Sequence, residues 1–312
     1  MKYGFYLPTR GKSAEPEALT ALVQNAERLG FTSVMIADHI VFPVEIDSKY
    51  PYTLAGNFPG HGDALEQLAL MTFVAAKTER LRLVSSIMVI PHRNPILTAK
   101  MLATIDLLSN GRVTVGVGVG WLKEEFEALD APDFHKRGAV SNEYIEIFKK
   151  LWTGEPVEHA GAFYQFNKVR CQPAPVQTPH PPIWVGGHSR AALRRAARYG
   201  DGWHPVGANP AVPMTPQELA GLIDQLKQFM DEEGRDFGKM TISFKAPLYD
   251  LNKRAGREER LPFTGSQDEI VEDVRTYQSL GVSELIFDFR SDSYDNDLAQ
   301  MESFASMVMA VA

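Results

Sequence analysis

The segment from Gly186 to Ser189 combines residue types that suit a bound phosphate. It follows a short apolar run and precedes a stretch with helical periodicity. The adjacent glycines Gly186 and Gly187 let the backbone approach a ligand closely, and the free amides at the start of a helix attract an anion. His188 and Ser189 can add polar side chains. The sequence therefore predicts a phosphate site here, with an ordinary turn between strand and helix as the alternative.

A serine hydrolase is a second interpretation of this segment, because residues 187–191 are similar to the turn that carries the nucleophile in that class. Such an enzyme needs an acidic residue and then a histidine later in the chain. The last histidine is His204, only one short element downstream. A hydrolase is therefore disfavoured.

A glycine-rich run extends from Gly116 to Trp121, with glycine at alternate positions. The dinucleotide-binding turn needs its last glycine where this chain has Trp121, so that fold is disfavoured. Small residues at alternate positions of a strand leave space inside a barrel. That space suits either neighbouring side chains or a flat ring above them.

Asp38 and His39 close a predicted strand. A histidine can donate or accept a proton near neutral pH, and a neighbouring carboxylate can tune it. The other histidines are scattered along the chain, so we expect no metal. The alternative is a structural histidine with satisfied hydrogen bonds.

The elements that must position these residues alternate between short apolar runs and longer helical patterns, which is typical of βα units around a parallel sheet. Predicted strands cover residues 3–7, 33–37, 81–89, 113–119, 183–185, 202–205, 241–248 and 284–289. Predicted helices cover residues 16–29, 65–77, 96–108, 142–152, 191–199, 216–230 and 268–280. The pattern predicts an α/β fold, a closed (β/α)8 TIM barrel that occupies residues 1–312 as one domain.

Three segments exceed what a minimal barrel needs: residues 41–62, 154–182 and 251–265. The first and third follow predicted strands, so we expect these loop insertions over the C-terminal mouth, where barrel enzymes hold their active sites. The apolar residues of the first insertion can form a lid or a dimer contact, and we expect the protein to be a homodimer. These residues are Tyr50, Pro51, Tyr52, Phe58 and Pro59.

Composition narrows the class of protein. The chain has 312 residues, a formal net charge of −7 and one cysteine, Cys171. An acidic balance disfavours nucleic-acid binding, and no apolar run is long enough for a membrane span. A single cysteine excludes an internal disulfide and fits the cytoplasm. We therefore expect a soluble, cytoplasmic protein that acts on a small molecule.

Several segments together resemble the bacterial luciferase-like superfamily, whose members use FMN or the deazaflavin coenzyme F-420. The most specific is residues 99–113, AKMLATIDLLSNGRV, which leads into the glycine-rich run. Residues 26–31 before Asp38 and residues 200–203 also match the superfamily pattern. The resemblance implies a barrel oxidoreductase with a flavin-type cofactor.

The resemblance also implies roles for individual residues. Ser86 and Ile87 fall where the family often has a non-prolyl cis peptide that forms a bulge behind the cofactor ring. Gly186, Gly187 and His188 fall where backbone groups hold the cofactor phosphate, with Ser189 beside them. Asp38 and His39 fall beside the ring, and His39 is the catalytic candidate.

One departure from the family concerns Trp121. The deazaflavin-dependent sugar-phosphate dehydrogenases carry a glutamate that donates a proton at this position, so that reaction is disfavoured. We expect Trp121 to pack on the substrate or the ring, and the following helix can turn the nearby Glu124 and Glu125 away. The first hypothesis is a coenzyme F-420-dependent oxidoreductase acting on a small organic substrate. The alternatives are a monooxygenase that uses reduced FMN and a non-catalytic flavin-binding barrel.

Overall fold

The barrel is closed and parallel, as predicted. The computed structural model describes residues 1–58, 60, 63–247, 249–251, 260–291 and 293–311. Its strands are β1 (Lys2–Tyr6), β2 (Ser33–Ile36), β3 (Arg82–Ser85), β4 (Met88–Val89), β5 (Val113–Gly118), β6 (Val157–Ala160), β7 (Gln165–Val169), β8 (Ile183–Gly186), β9 (Gly202–His204), β10 (Thr241–Ala246) and β11 (Glu284–Phe287). Around the barrel the order is β3, β2, β1, β11, β10, β9, β8 and β5, and pairing of β3 with β5 closes the ring.

The third position of the barrel is filled by two short strands. Both β3 and β4 pair with β5, but Val84 lies opposite Thr114 whereas Met88 lies opposite Val117. The third strand thus has one more residue than its neighbour between these pairs, which is a bulge. The Ser86-Ile87 peptide bond at this bulge is cis, as the family resemblance implied.

Helices follow the strands and cover the outside of the barrel. They are α1 (Pro16–Leu29), α2 (Gln67–Lys77), α3 (Pro95–Leu108), α4 (Lys123–Ala128), α5 (Arg137–Leu151), α6 (Arg190–Tyr199), α7 (Pro216–Glu232), α8 (Gln267–Ser279) and α9 (Tyr294–Phe304). The sequence predicted all of these except α4, which is short, and α9. Local signals set several ends: α1 begins with a proline and ends at Gly30, whose φ of 92° favours glycine.

The insertions differ in structure. Residues 154–182 include the antiparallel hairpin of β6 and β7. Described residues of the 41–62 insertion lie over the mouth of the barrel, as predicted, whereas Pro59 and residues 252–259 of the third insertion lie outside the described residues. Within the described part of the chain, no helix is long and apolar enough to cross a membrane.

Candidate active site

A cavity of about 550 Å³ opens at the carboxyl ends of the barrel strands. This is the end at which TIM-barrel enzymes bind their substrates. The predicted site residues that line the cavity are Asp38, His39, Ser86, Ile87, Trp121, Gly186 and Gly187. The fold therefore brings most of them to one place.

His39 is held by a carboxylate that comes from a distant part of the chain. Its Nδ1 lies 2.9 Å from Oε2 of Glu125, 86 residues away in the sequence. A carboxylate only accepts hydrogen bonds when ionised, so Nδ1 carries the proton and donates it to Glu125. Nε2 is then an acceptor and has no hydrogen-bond partner among the described residues. The arrangement leaves His39 a basic nitrogen.

Glu125 is itself firmly positioned. It lies in α4, its side chain is 1% exposed, and its Oε1 accepts a hydrogen bond from the Ile40 amide at 2.8 Å. Burial raises its pKa, but the contact with His39, first of all its hydrogen bond, outweighs burial, and the pKa lies below the ordinary value. The sequence indicated that a helix after Trp121 can turn both glutamates away. In the structure Glu125 lies in α4 and contacts His39.

His92 lies on the other side of the same carboxylate. Its Nδ1 is 3.9 Å from Oε1 of Glu125, and neither ring nitrogen has a hydrogen-bond partner in the part of the chain that the structure describes. Burial lowers its pKa, which favours a neutral ring. Its ring packs edge-on against Phe126, with centroids 4.4 Å apart.

Aromatic side chains from the 41–62 insertion and Trp121 form one side of the cavity, which we call the aromatic wall; its members are Phe42, Tyr50, Tyr52, Phe58 and Trp121. Tyr50 and Phe58 lie 5.0 and 5.4 Å from Trp121 by ring centroid. The ring of His39 packs on Phe42 at 4.4 Å. Trp121 thus faces the cavity, where it can contact an organic substrate or a ring.

The carboxylate of Asp38 is committed to another contact. It accepts hydrogen bonds from both terminal nitrogens of Arg93 at 2.7 Å and from the Val89 amide at 2.8 Å. The paired charges are almost fully buried. A role for Asp38 in cofactor binding remains a prediction, and its carboxylate would have to serve the cofactor and Arg93 at once.

The base of the cavity is a chain of hydrogen bonds. The hydroxyl of Ser86 lies 2.6 Å from the Tyr6 hydroxyl and 2.9 Å from Nε2 of His204. Nδ1 of His204 faces the carbonyl of Ser243 at 2.9 Å. Because a carbonyl only accepts, Nδ1 carries the proton and Nε2 accepts from Ser86. Burial, together with the charge of Lys245, lowers the pKa of His204 to about 4, so the ring is neutral.

The glycines of β5 and β8 make room for Ile87. A Cβ added at Gly118 would lie 2.6 Å from Cδ1 of Ile87, and one added at Gly186 would lie 2.2 Å from it. At Gly116 an added Cβ would collide with the Ser85 carbonyl at 2.0 Å. The sequence left two interpretations of the alternating glycines, space for neighbouring side chains or for a flat ring. In the structure the space is filled by the side chain of Ile87. Ile87 in turn presents an apolar surface to the cavity.

The Gly186–Ser189 segment joins β8 to α6. Gly187 has a φ of 89°, and its carbonyl accepts a hydrogen bond from the Trp203 indole at 2.8 Å, which fixes the turn. The Ser189 hydroxyl caps α6 by accepting from the Ala192 amide. His188 and Ser189 are not among the residues that line the cavity. Nδ1 of His188 is buried without a partner among the described residues.

These features fit a bound phosphate. The turn offers a glycine backbone beside the cavity, the start of a helix, and an unpartnered imidazole nitrogen. Helix starts of this kind bind anions through their amides and dipole. Ile87 provides an apolar surface that suits one face of a flat ring.

The sequence prediction missed several polar and charged side chains of the cavity, among them Arg10. Glu125 was noticed as a residue that a following helix can turn away, and His204 was used only to weigh the hydrolase. Lys245 and Arg290 also line the cavity. Their positions near the ends of predicted strands were the available signal, because side chains at the carboxyl ends of barrel strands converge on the mouth.

Fold and cavity together define a TIM barrel of the enzyme type, with its site at the carboxyl mouth. Residues 1–264 match the luciferase-like monooxygenase family, and the chain belongs to this family of oxidoreductases and monooxygenases. An uncharacterised protein of Mycobacterium tuberculosis is 35% identical over 299 residues, 93% of each chain.

Two relatives have names that state a cofactor. An F-420-dependent glucose-6-phosphate dehydrogenase of Segniliparus rotundus is 27% identical and covers 87% of this chain and 88% of its own. An FMNH2-dependent dimethylsulfone monooxygenase of Pseudomonas putida is 35% identical over 190 residues, 60% of this chain and 48% of its own. Among solved structures, a monooxygenase of Streptomyces bottropensis superposes with a TM-score of 0.79 at 22% identity, covering 99% of both chains.

Proposed function

We propose that the chain is an oxidoreductase that uses coenzyme F-420 to transfer a hydride to or from a small organic substrate. In this proposal His39 moves the accompanying proton. The observation that carries the proposal is the hydrogen bond between His39 and Glu125 at the edge of the cavity.

The proton chemistry follows from the tautomer of His39. With Nδ1 bound to Glu125, the free Nε2 can accept a proton from a substrate hydroxyl as that group becomes a carbonyl. The carboxylate then stabilises the imidazolium that forms, as in other histidine–carboxylate pairs. In the reverse direction the same nitrogen returns the proton.

The cofactor would be held by the residues that fit a phosphate and a ring. Gly186, Gly187 and the start of α6 would hold the phosphate, with His188 and Ser189 beside them, and Ile87 would support the ring. When bound, a deazaflavin accepts or donates a hydride, which this chain has no group of its own to do.

Coenzyme F-420 is preferred over FMN for two reasons. The relative named for coenzyme F-420 aligns over most of both chains, whereas the one named for FMN aligns over 48% of its own length. Hydride transfer from an alcohol also needs a base for the hydroxyl proton, and His39 with Glu125 provides one.

Binding of the two cofactors tests the proposal. Purified protein is titrated with coenzyme F-420 and with FMN, following fluorescence and the thermal unfolding midpoint. We expect coenzyme F-420 to bind at least about tenfold more tightly, a difference of about 1.4 kcal/mol. Binding of neither cofactor by the folded protein would refute the proposal.

Matched glycine variants test the phosphate site. Gly187→Ala and Gly281→Ala place the same side chain at similar positive φ values, 89° and 96°, and Gly281 ends α8 away from the cavity. Both should lose similar stability because the left-handed conformation costs about 1–2 kcal/mol. Only Gly187→Ala should weaken cofactor binding, and equal affinity in both variants would show that the phosphate lies elsewhere.

A monooxygenase that uses reduced FMN is the second candidate, favoured by the Pseudomonas putida relative. It predicts tighter binding of FMN than of coenzyme F-420. It also predicts substrate-dependent oxygen consumption with reduced FMN, which a hydride-transferring enzyme would not show.

A further inference from the structure

Three positively charged side chains lie together on one side of the cavity: Arg10, Lys245 and Arg290. Arg10 follows β1, Lys245 lies in β10 and Arg290 follows β11, and these three strands are neighbours in the barrel. Burial lowers the pKa of Arg10, and the charge of Arg290 lowers it further. We call this group the cationic pole.

The described part of the protein neutralises only one of the three charges of the pole by an ion pair. Arg290 donates to Asp288 through Nε at 2.8 Å. In the described chain, Lys245 and Arg10 form no ion pair and rest on aromatic rings. Nζ of Lys245 lies 3.4 Å from the ring centroid of Tyr6, and the Arg10 guanidinium lies 5.3 Å from that of Phe58. Among the described residues, Lys245 and Arg10 therefore line the cavity without a carboxylate at ion-pair distance, although Asp288 acts on both from further away. A bound anion would stabilise this arrangement.

The pole is separate from the phosphate site at Gly187. In the closed ring, β1 stands opposite β8, and β9 lies between β8 and β10. The aromatic wall adjoins the pole, because Phe58 contacts both Arg10 and Trp121. The cavity thus offers an apolar surface that ends in positive charge.

We propose that the substrate carries an oxyanion, a carboxylate, sulfonate or phosphate, that the cationic pole binds while an apolar body packs on the aromatic wall. This inference rests on the proposed function, because it names the substrate class of the same cavity. Charge-assisted hydrogen bonds to such a group are among the stronger polar contacts.

The experiment uses four ligands with one phenyl body. Benzoate, benzenesulfonate and phenyl phosphate carry the three oxyanions, and benzenesulfonamide is a neutral control. Each is titrated into the full chain by calorimetry, with and without saturating cofactor. We expect at least one anion to bind about tenfold or more tightly than the sulfonamide, and the tightest identifies the head group.

Variants locate the site. Lys245→Met should lower the affinity for the anion by about 10- to 100-fold, which is the effect of losing one hydrogen bond to a charged group. Lys245→Arg should restore most of the affinity. Lys227→Met, at an exposed lysine of α7, should change nothing. If Lys245→Met does not fold, Arg10→Gln is measured instead and should weaken the anion several-fold.

The affinity should also depend on pH. Burial lowers the pKa of Lys245 to about 8, although Tyr50 and Asp288 act in the opposite direction. Anion affinity should therefore fall as pH rises above about 8. The other titratable or charged groups that act on Lys245 are Tyr6, His204 and Arg290.

Two outcomes would overturn the proposal: equal affinity for sulfonamide and anions, or unchanged anion affinity in Lys245→Met. Loss of cofactor binding in Lys245→Met, with anion affinity intact, would instead assign the pole to the cofactor and also overturn it. Because the anions are titrated without cofactor too, failure of cofactor binding is distinguished from failure of the anion site.

Discussion

Replacing Glu125 by glutamine tests the central contact of the site with little change in shape. The amide oxygen can still accept from the Ile40 amide, but the amide nitrogen then faces Nδ1 of His39, where the native partner is an acceptor. Two donors cannot share this contact, so His39 must move its proton to Nε2. That change removes the free base.

The magnitude follows from the hydrogen bond that the substitution removes. A hydrogen bond to a charged group contributes about 1.5–3 kcal/mol, and Glu125 is almost fully buried, so Glu125→Gln should lose about that much stability. Because folding lowers the pKa of Glu125, the native protein should exceed Glu125→Gln in free energy of unfolding by the whole amount above the ordinary value of 4.5. This difference should shrink as pH falls through the lower folded value. Turnover, once a substrate is known, should fall about 100- to 10,000-fold, the usual contribution of a general base.

The assay needs no substrate. Nitrogen-15 NMR of histidine-labelled protein reports which ring nitrogen carries the proton, and His39→Gln assigns the signal among the eight histidines. The native protein should show the Nδ1–H form and Glu125→Gln the Nε2–H form, while urea unfolding measures stability. Glu124→Gln is the control, because Glu124 accepts from the Asp47 and Ser48 amides rather than from His39. An unchanged tautomer in Glu125→Gln, with stability equal to the control, would refute this account of the site.

Three further results are expected. Because the pKa of His204 is about 4 in the folded chain and about 6.5 when unfolded, the native protein should lose about 3 kcal/mol as pH falls between these values. Urea midpoints should show this slope, and it should be smaller in His204→Gln by about that amount; an equal slope in both would contradict the pKa shift. Gly186→Ala should cost about 1–3 kcal/mol by overpacking against Ile87, and a smaller cost in an Ile87→Ala background would confirm the contact, whereas additive costs would not. Glu124→Ala should speed proteolysis within residues 41–58, since it frees the Asp47 and Ser48 amides; a rate equal to that of Lys123→Ala would count against that role.

The barrel was predictable because its signals are local. Apolar strand runs, helical periodicity and end signals such as Gly30 act over a few residues. The strands and helices of the barrel follow one another along the chain in the order of these signals. The predicted strands differ from the observed ones by a few residues at their ends. The α4 helix was missed because it has only six residues, too few to show a period.

The composition of the site was predictable only in part. His39, Trp121 and the turn at Gly187 could be picked out because their residue types and strand-end positions are unusual in the sequence itself. Asp38 was picked out for the same reason, yet its carboxylate is engaged by Arg93. The local sequence pattern places a residue near the mouth of the barrel. It does not show which neighbouring side chain the residue will contact.

The sequence by itself determined the order of strands and helices, and with it the end of the barrel at which His39 and Gly187 meet. Tertiary structure alone decided that Glu125 holds His39, that glycines of two strands make room for Ile87, and that Lys245 joins Arg10 and Arg290. The physical reason is the range of the interactions. Backbone propensity acts between near neighbours, whereas these contacts join residues tens to hundreds of positions apart and exist only once the ring of strands has closed.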